Sequence, residues 1–320
     1  MKIVAADIDS VGSDLDFRIY DDLGEVIYYD DCINEDNAGE RMPGAQVLLI
    51  NKSKITEKVL AQSPDLKLIC VFATGYDNVD LDACRKYGVK LANVVNYSTD
   101  SVAQHTFALL FYLMENLRHY DEFVKDGSYA DQPHFCCIDI PFSELAGKTY
   151  GIVGMGNIGK KVASIAKAFG AEVIFYPSSG HSDYHEYRQV SFDELLEKSD
   201  VISIHCPLSD LTRDLFDIEA FKKMKKSAYL INVARGAVVV ENDLYEALKN
   251  GEIRGAGIDV LNPEPMRKDS KLLEIQNSGK LIVTPHMAWG STEARTRCLE
   301  EVKKNVLAWQ RGEDRNIVCS

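Results

Sequence analysis

No run of about twenty apolar residues occurs in the 320-residue chain, so a membrane-spanning helix is not expected. Nor does a basic segment lead into an apolar stretch near Met1, where MKIVAADI reads as a strand, and secretion is not expected either. Basic charge is in short supply: 36 Lys and Arg stand against 49 Asp and Glu, for a net charge of −13. That balance works against nucleic acid or an anionic membrane as a partner. The eight cysteines (32, 70, 84, 136, 137, 206, 298 and 319) show neither zinc-ligand spacing nor a CxxC pair. Cys136 and Cys137 are adjacent, which is poor disulfide geometry. Others lie inside apolar runs such as LICVFA and read as small core hydrophobes. A reducing, cytoplasmic location without a metal site is expected. No repeat or low-complexity segment is visible.

What remains is the composition of an ordinary globular protein, 46% hydrophobic and 27% charged, long enough for two cores. Residues 1–96 alternate short apolar runs (KIVAADI, EVIYY, AQVLLIN, LKLICVFA, VKLANVV) with polar, helix-compatible stretches. Such alternation predicts βα units and a parallel sheet. The segment 98–120 lacks Pro and Gly, has Ser98, Thr99 and Asp100 as cap oxygens, and predicts one helix. Its apolarity suggests burial between domains or subunits. Residues 121–146 are irregular. A second block follows, with strands in TYGIVG, EVIFY, DVISIHC, AYLINVA, GAGIDVL and LIVTPH, and an amphipathic helix over 290–311 ends the pattern at Gly312. The expected fold is α/β with two domains: residues 1–99 plus 290–320, and residues 100–289, with a cleft between them.

Gly154-Met155-Gly156-Asn157-Ile158-Gly159 forms a GxGxxG between an apolar strand and a helix-forming KKVASIAKAF, with a second strand at 172–176. This is the context a dinucleotide fingerprint requires. Gly154 permits the tight turn, Gly156 lets the backbone approach a pyrophosphate, and Gly159 allows close helix–strand packing. The second strand ends Tyr176-Pro177-Ser178-Ser179-Gly180-His181, without the carboxylate that usually holds the adenosine 2′-hydroxyl. Ser178, Ser179 and His181 offer hydrogen-bond donors; no Arg sits in the turn itself, and Arg188, seven positions on, is the candidate that could reach it. The cofactor is therefore NAD(H) or NADP(H), with slight favour to NADPH being accepted alongside NADH.

Three further apolar runs each end in one ionisable residue: Arg235 in YLINVARGAVV, Glu264 in GAGIDVLNPEP and His286 in LIVTPHMAW. In an open parallel sheet, ligands lie beyond the carboxyl ends of the strands. An imidazole there can deliver a proton near neutral pH, a carboxylate can stabilise its charged form, and a guanidinium can hold a substrate carboxylate. In a molecule of charge −13, Arg235 supplies the local positive charge an acidic substrate needs.

The order GxGxxG, NVARGAVV, DVLNPEP, TPHMAW resembles the D-isomer-specific 2-hydroxyacid dehydrogenase family over nearly the whole chain. FATGYDNVD (72–80) and YSTDSVAQHT (97–106) resemble its substrate loop and interdomain helix. The resemblance implies two Rossmann-like domains, a discontinuous flavodoxin-like substrate domain and a doubly wound dinucleotide-binding domain, usually in a homodimer. It implies that Arg235 binds the substrate carboxylate and carbonyl, that Glu264 partners the histidine, and that His286 is the acid/base. Backbone amides at Gly75 and Tyr76 would hold the carboxylate. On the cofactor side it picks out Gly154, Asn157, Ile158, His205, Cys206, Pro207, Thr212, Val233, Ala234, Asp259 and Ala288. Asp259 would orient the nicotinamide amide.

TPHMAW and ATGYDNVD resemble the glycerate dehydrogenase (hydroxypyruvate reductase) branch. Asn51 after the AQVLLI strand offers a polar contact to a substrate hydroxyl, and Trp289 an apolar wall. A D-lactate or bulkier 2-hydroxy acid dehydrogenase is the alternative. A nicotinamide-sensing co-repressor of the same fold is the alternative from another class.

Overall fold

The computed structural model describes residues 1–319. In chain order the elements are β1 (Lys2–Ala5), β2 (Glu25–Tyr28), α1 (Ala38–Arg41), β3 (Val47–Ile50), α2 (Glu57–Ala61), β4 (Leu68–Val71), α3 (Leu81–Tyr87) and β5 (Lys90–Ala92). There follow α4 (Thr99–Met114), α5 (Leu117–Lys125), β6 (Thr149–Val153), α6 (Asn157–Ala168), β7 (Glu172–Tyr176) and β8 (Arg188–Gln189). Then come α7 (Phe192–Lys198), β9 (Val201–Ile204), α8 (Ile218–Lys223), β10 (Tyr229–Asn232), α9 (Glu241–Asn250), β11 (Gly255–Ile258) and β12 (Leu281–Val283). Helix α10 (Thr292–Gln310) and β13 (Ile317–Cys319) close the sequence. Two compact units result: Met1–Ser98 with Gly290–Ser320, and Thr99–Trp289.

The first unit holds a six-stranded sheet in the order β13-β5-β4-β3-β1-β2, the parallel part of which is the flavodoxin-like 2-1-3-4-5 order. Among the described residues only β13 runs antiparallel, pairing with β5. Strands β3 and β4 are buried at every position, which explains why they read as unbroken apolar runs rather than alternating ones. Local signals fix the helix ends. Asp80 caps α3 by accepting from the Ala83 amide, and Gly88 ends it at φ 65°. Ser291 caps α10 the same way, accepting from Ala294.

The second unit holds a seven-stranded parallel sheet in the order β12-β11-β10-β9-β6-β7-β8. Renumbered from β6 this is 3-2-1-4-5-6-7, a doubly wound sheet whose order reverses between β6 and β9. Helix α4 is one of its layers: Val102, Ala103, Phe107, Leu110 and Leu113 share a core with Tyr150, Ile152, Val162 and Ile231. The apolarity of this helix thus serves the core of its own unit, where burial between domains or subunits was expected. The single helix predicted over 98–120 is also two. Asn116 stands at φ 53°, in the left-handed region that its short amide side chain tolerates, and the chain restarts as α5. Strands β8 and β13 escaped the sequence reading because two- and three-residue edge strands carry no periodicity.

Candidate active site

Strand register sets the site. Asn232 of β10 pairs with Ile258 of β11, and Ile258 pairs with Val283 of β12, so three adjacent strands end level. Arg235, Glu264 and His286 lie on the three loops that leave these ends. Gly236 ties the first loop to the second. A Cβ there would lie 2.0 Å from the Leu261 carbonyl carbon, so only glycine lets the arginine loop pass. Asn232 braces the arginine turn, with Nδ2 donating to Arg235 O at 3.0 Å and Oδ1 accepting from Ala234 N at 3.1 Å. Arg235 Nη1 donates to Ala234 O at 2.9 Å.

His286 and Glu264 meet directly: Nδ1 lies 2.8 Å from Oε2, with the two side chains 27% and 38% exposed. The second carboxylate oxygen, Oε1, accepts from the Leu261 amide at 2.9 Å, which fixes the acid from behind. A carboxylate only accepts, so Nδ1 carries the proton, and Nε2 is left as the exchanging atom. The indole Nε1 of Trp289 donates to His286 O at 2.9 Å, holding the half-buried ring against its own turn.

His286 itself stands at φ 53°. Its turn is held by Asp259, which is 1% exposed. Asp259 O accepts from His286 N at 2.8 Å, Oδ1 from Met287 N at 2.9 Å, and Oδ2 from Ala288 N at 2.9 Å. The Thr284 hydroxyl adds a donor to Oδ1 at 2.6 Å. Burial pushes this carboxyl up, but the bonds from His105, Thr284, Ala288 and Met287 outweigh it and hold it below the usual carboxylate range.

At the reversal of the strand order the GxGxxG loop meets the end of β9. Gly154 has φ 90°, and a Cβ there would lie 2.9 Å from the backbone of Cys206. A Cβ on Gly159 would lie 2.2 Å from Gly154 O, whereas one on Gly156 would meet nothing within 4 Å. Two glycines are packed and the middle one faces open space at the start of α6, beside the exposed Asn157 and half-buried Ile158. That cradle fits the pyrophosphate of a dinucleotide. Val233, Ala234 and Ala288 are buried in the neighbouring loops. Thr212 spends its hydroxyl inside its own loop, donating to Pro207 O at 2.7 Å and accepting from Ser209 N at 2.8 Å.

At the end of β7, the Tyr176 ring packs on Phe192 with centroids 5.3 Å apart. Ser178 is half-buried, and the exposed Ser179 donates to His181 O at 2.9 Å. Arg188 is engaged by Glu194, and His181 by Asp183 at 3.0 Å. His205 follows β9. Its Nε2 lies 2.8 Å from Ser203 Oγ, its Nδ1 is buried with no hydrogen-bond partner among the described residues, and desolvation pulls the imidazole down to about 3. Burial thus favours the neutral ring.

In the first unit the loops after β3 and β4 are joined. Asn78 Nδ2 donates to Ser53 O at 2.7 Å and to Asn51 O at 3.2 Å, linking the Gly75–Tyr76 loop to Asn51. Asn51 is buried, and its Nδ2 donates to Ser10 Oγ at 2.9 Å. Gly75 and Tyr76 are half-buried. Among the described residues, no group of three or more His, Cys, Asp or Glu is arranged to hold a metal, and no helix is long and apolar enough to cross a membrane.

The sequence pattern described as "D-isomer specific 2-hydroxyacid dehydrogenase, NAD binding domain" matches residues 107–288. The chain belongs to the D-isomer specific 2-hydroxyacid dehydrogenase family. It is 35% identical to a hydroxypyruvate reductase of Blautia hydrogenotrophica, over 99% of both chains. It is 38% identical to a glycerate dehydrogenase of Methylorubrum extorquens, over 99% of this chain and 98% of that one. A crystal structure of D-lactate dehydrogenase from Aquifex aeolicus, with NAD and lactic acid, superposes with a TM-score of 0.84 at 30% identity, over 97% and 96% of the two chains.

As a D-2-hydroxyacid dehydrogenase the protein is an oxidoreductase that uses a nicotinamide dinucleotide. Its two sheets are the two Rossmann-like halves of that fold. Sequence reasoning passed over three residues that hold the His286 turn. Ser101 Oγ donates to Ala288 O at 2.7 Å, and His105 Nε2 lies 3.0 Å from Thr284 Oγ1. The signal was present, since two polar residues four apart in an apolar helix point from one face.

Proposed function

We propose that this dehydrogenase reduces hydroxypyruvate to D-glycerate, reversibly, with NADH and also with NADPH. The observation that carries the chemistry is the 2.8 Å pair of His286 and Glu264 on loops adjoining Arg235. The two curated relatives, which match nearly end to end and are named for hydroxypyruvate and glycerate, support the substrate.

Arg235 binds the substrate carboxylate and polarises the carbonyl oxygen, with amides at Gly75 and Tyr76 as further donors. Asn51 and Trp289 border the substrate side chain. When bound, the nicotinamide dinucleotide supplies a hydride to the carbonyl carbon. His286 delivers a proton from Nε2 to the carbonyl oxygen, and Glu264, accepting from Nδ1, favours the charged ring before transfer and keeps its tautomer afterwards. Gly154, Gly156, Asn157, Ile158 and Gly159 receive the pyrophosphate. Tyr176, Ser178 and Ser179 border the adenosine ribose. His205, Cys206, Pro207 and Thr212 line the adenine side, and Val233, Ala234 and Ala288 the nicotinamide side. Asp259, expected to orient the nicotinamide amide, lies buried beneath them with its carboxylate on the Thr284 hydroxyl and the Met287 and Ala288 amides.

The β7 end supports use of both cofactors. Its turn, residues 177–181, offers Ser178 and Ser179 and contains no Asp or Glu, whereas Arg188 just beyond is engaged by Glu194. Pairing into a homodimer is supported by the exposed apolar side chains Leu117, Val124, Phe135, Ile138 and Phe142. The free cysteines and acidic charge support a cytoplasmic location.

The test is steady-state reduction of hydroxypyruvate, glyoxylate, pyruvate and 2-oxoisocaproate with each cofactor. Highest kcat/KM on hydroxypyruvate supports the reading, and preference for a bulkier 2-oxo acid overturns it. Tight cofactor binding without turnover would point to a sensor.

A further inference from the structure

Helix α4 reaches the His286 turn at two points one helical turn apart: Ser101 at Ala288 O, and His105 at the Thr284 hydroxyl. The second contact has a defined polarity. The Thr284 hydroxyl gives its hydrogen to Asp259 Oδ1 at 2.6 Å, so toward His105 it can only accept. His105 Nε2 must then carry a proton, and the same atom lies 3.5 Å from Asp259 Oδ1. From His105 through Thr284 to Asp259 the donors run in one direction. They end on the carboxylate whose oxygens also receive the amides of Met287 and Ala288, next to His286 in the chain.

This arrangement has something to restrain. His286 stands at φ 53°, a conformation that a residue with a Cβ holds only when its surroundings fix it. Asp259 supplies that restraint only while its carboxylate keeps one rotation, with Oδ1 toward Met287 and Oδ2 toward Ala288. A hydroxyl alone hydrogen-bonds in many directions. With His105 as donor, the Thr284 hydroxyl has its lone pair engaged and its hydrogen committed to Asp259.

We propose that His105 is a positioning residue for proton transfer: through Thr284 it orients Asp259, and through Asp259 it fixes the turn that aims His286. The proposal rests on the reading of His286 as the acid/base. Only the Nε2 proton is required, so a side chain with a neutral donor at the same reach serves as well.

The experiment compares His105→Leu, His105→Gln, Thr284→Val and His286→Ala, using the best-reduced of hydroxypyruvate, glyoxylate and pyruvate. His105→Leu and Thr284→Val are each expected to lower kcat by about ten- to a hundred-fold, as small misplacements of a catalytic group do. KM should change less than kcat, and His105→Gln should regain most of the loss. Adding His105→Leu to His286→Ala should cost nothing further, because the effect passes through His286. In cofactor-free protein, 15N NMR should show the His105 ring protonated at Nε2. A ring protonated only at Nδ1, or losses that add in the double variant, would overturn the proposal. So would full turnover in folded His105→Leu or Thr284→Val while His286→Ala is inactive. An active His286→Ala would instead remove the reading on which the proposal stands.

Discussion

His286 Nδ1 and Glu264 Oε2 are 2.8 Å apart although 22 residues separate them in sequence. Two adjacent parallel strands, β11 and β12, bring them to the same edge, and the Leu261 amide anchors the acid. The pair is accessible, which suits a proton that must exchange with solvent between turnovers.

With His286 read as the proton donor, replacing it with Ala should remove that donor and little else. The expected loss in kcat for reduction is about two orders of magnitude or more, with cofactor affinity nearly unchanged. Stopped-flow turnover with a fluorescence titration of NADH checks both, and unaltered kcat would take His286 out of the mechanism.

Glu264→Gln keeps the size of the side chain but removes its charge. The ring loses the carboxylate that stabilises its charge during proton transfer, so kcat for reduction at neutral pH should fall by about tenfold or more. Unchanged kcat would break the functional pairing while leaving the hydrogen bond as a structural fact.

At Arg235 the expected signature lies in substrate binding. Arg235→Lys keeps the charge but loses the planar fork, and should raise KM for the 2-oxo acid by about tenfold or more. If only cofactor affinity falls, the arginine serves the other ligand.

His205 gives a prediction about stability instead of rate. Its folded-state imidazole is pulled down to about 3, against about 6.5 in an unfolded chain. Between those values the unfolded chain binds a proton that the folded one refuses, so stability falls as pH drops from about 6.5 toward 3. The slope from this one group is at most about 1.4 kcal/mol per pH unit. Urea unfolding of His205→Gln across that window should show a flatter acid limb. A limb as steep as that of the parent would mean that the ring is protonated in the folded protein.

These residues also show how far the sequence alone reaches. Arg235, Glu264 and His286 were legible because each terminates an apolar run, and parallel strands that are buried on both faces advertise their own ends. The GxGxxG loop was legible because strand and helix patterns flank it. The targets of His105 and Ser101 were not, because a polar residue within an apolar helix has no assignable partner until the helix is docked. The break at Asn116 was hidden for a related reason: a left-handed Asn looks, in sequence, like any tolerated helix residue. Strand β13 depends on β5, 225 positions away, and three residues cannot announce such a partner.

The overlap that a side chain at Gly236 would make with Leu261 has a bearing on how such a protein can be altered. The loop that carries the cation and the loop that carries the acid are interlocked through main-chain atoms, so they behave as one exchangeable cassette. A chimera that takes only one of them from a relative brings together surfaces shaped for different neighbours, and its chemistry should suffer even when every named side chain is retained.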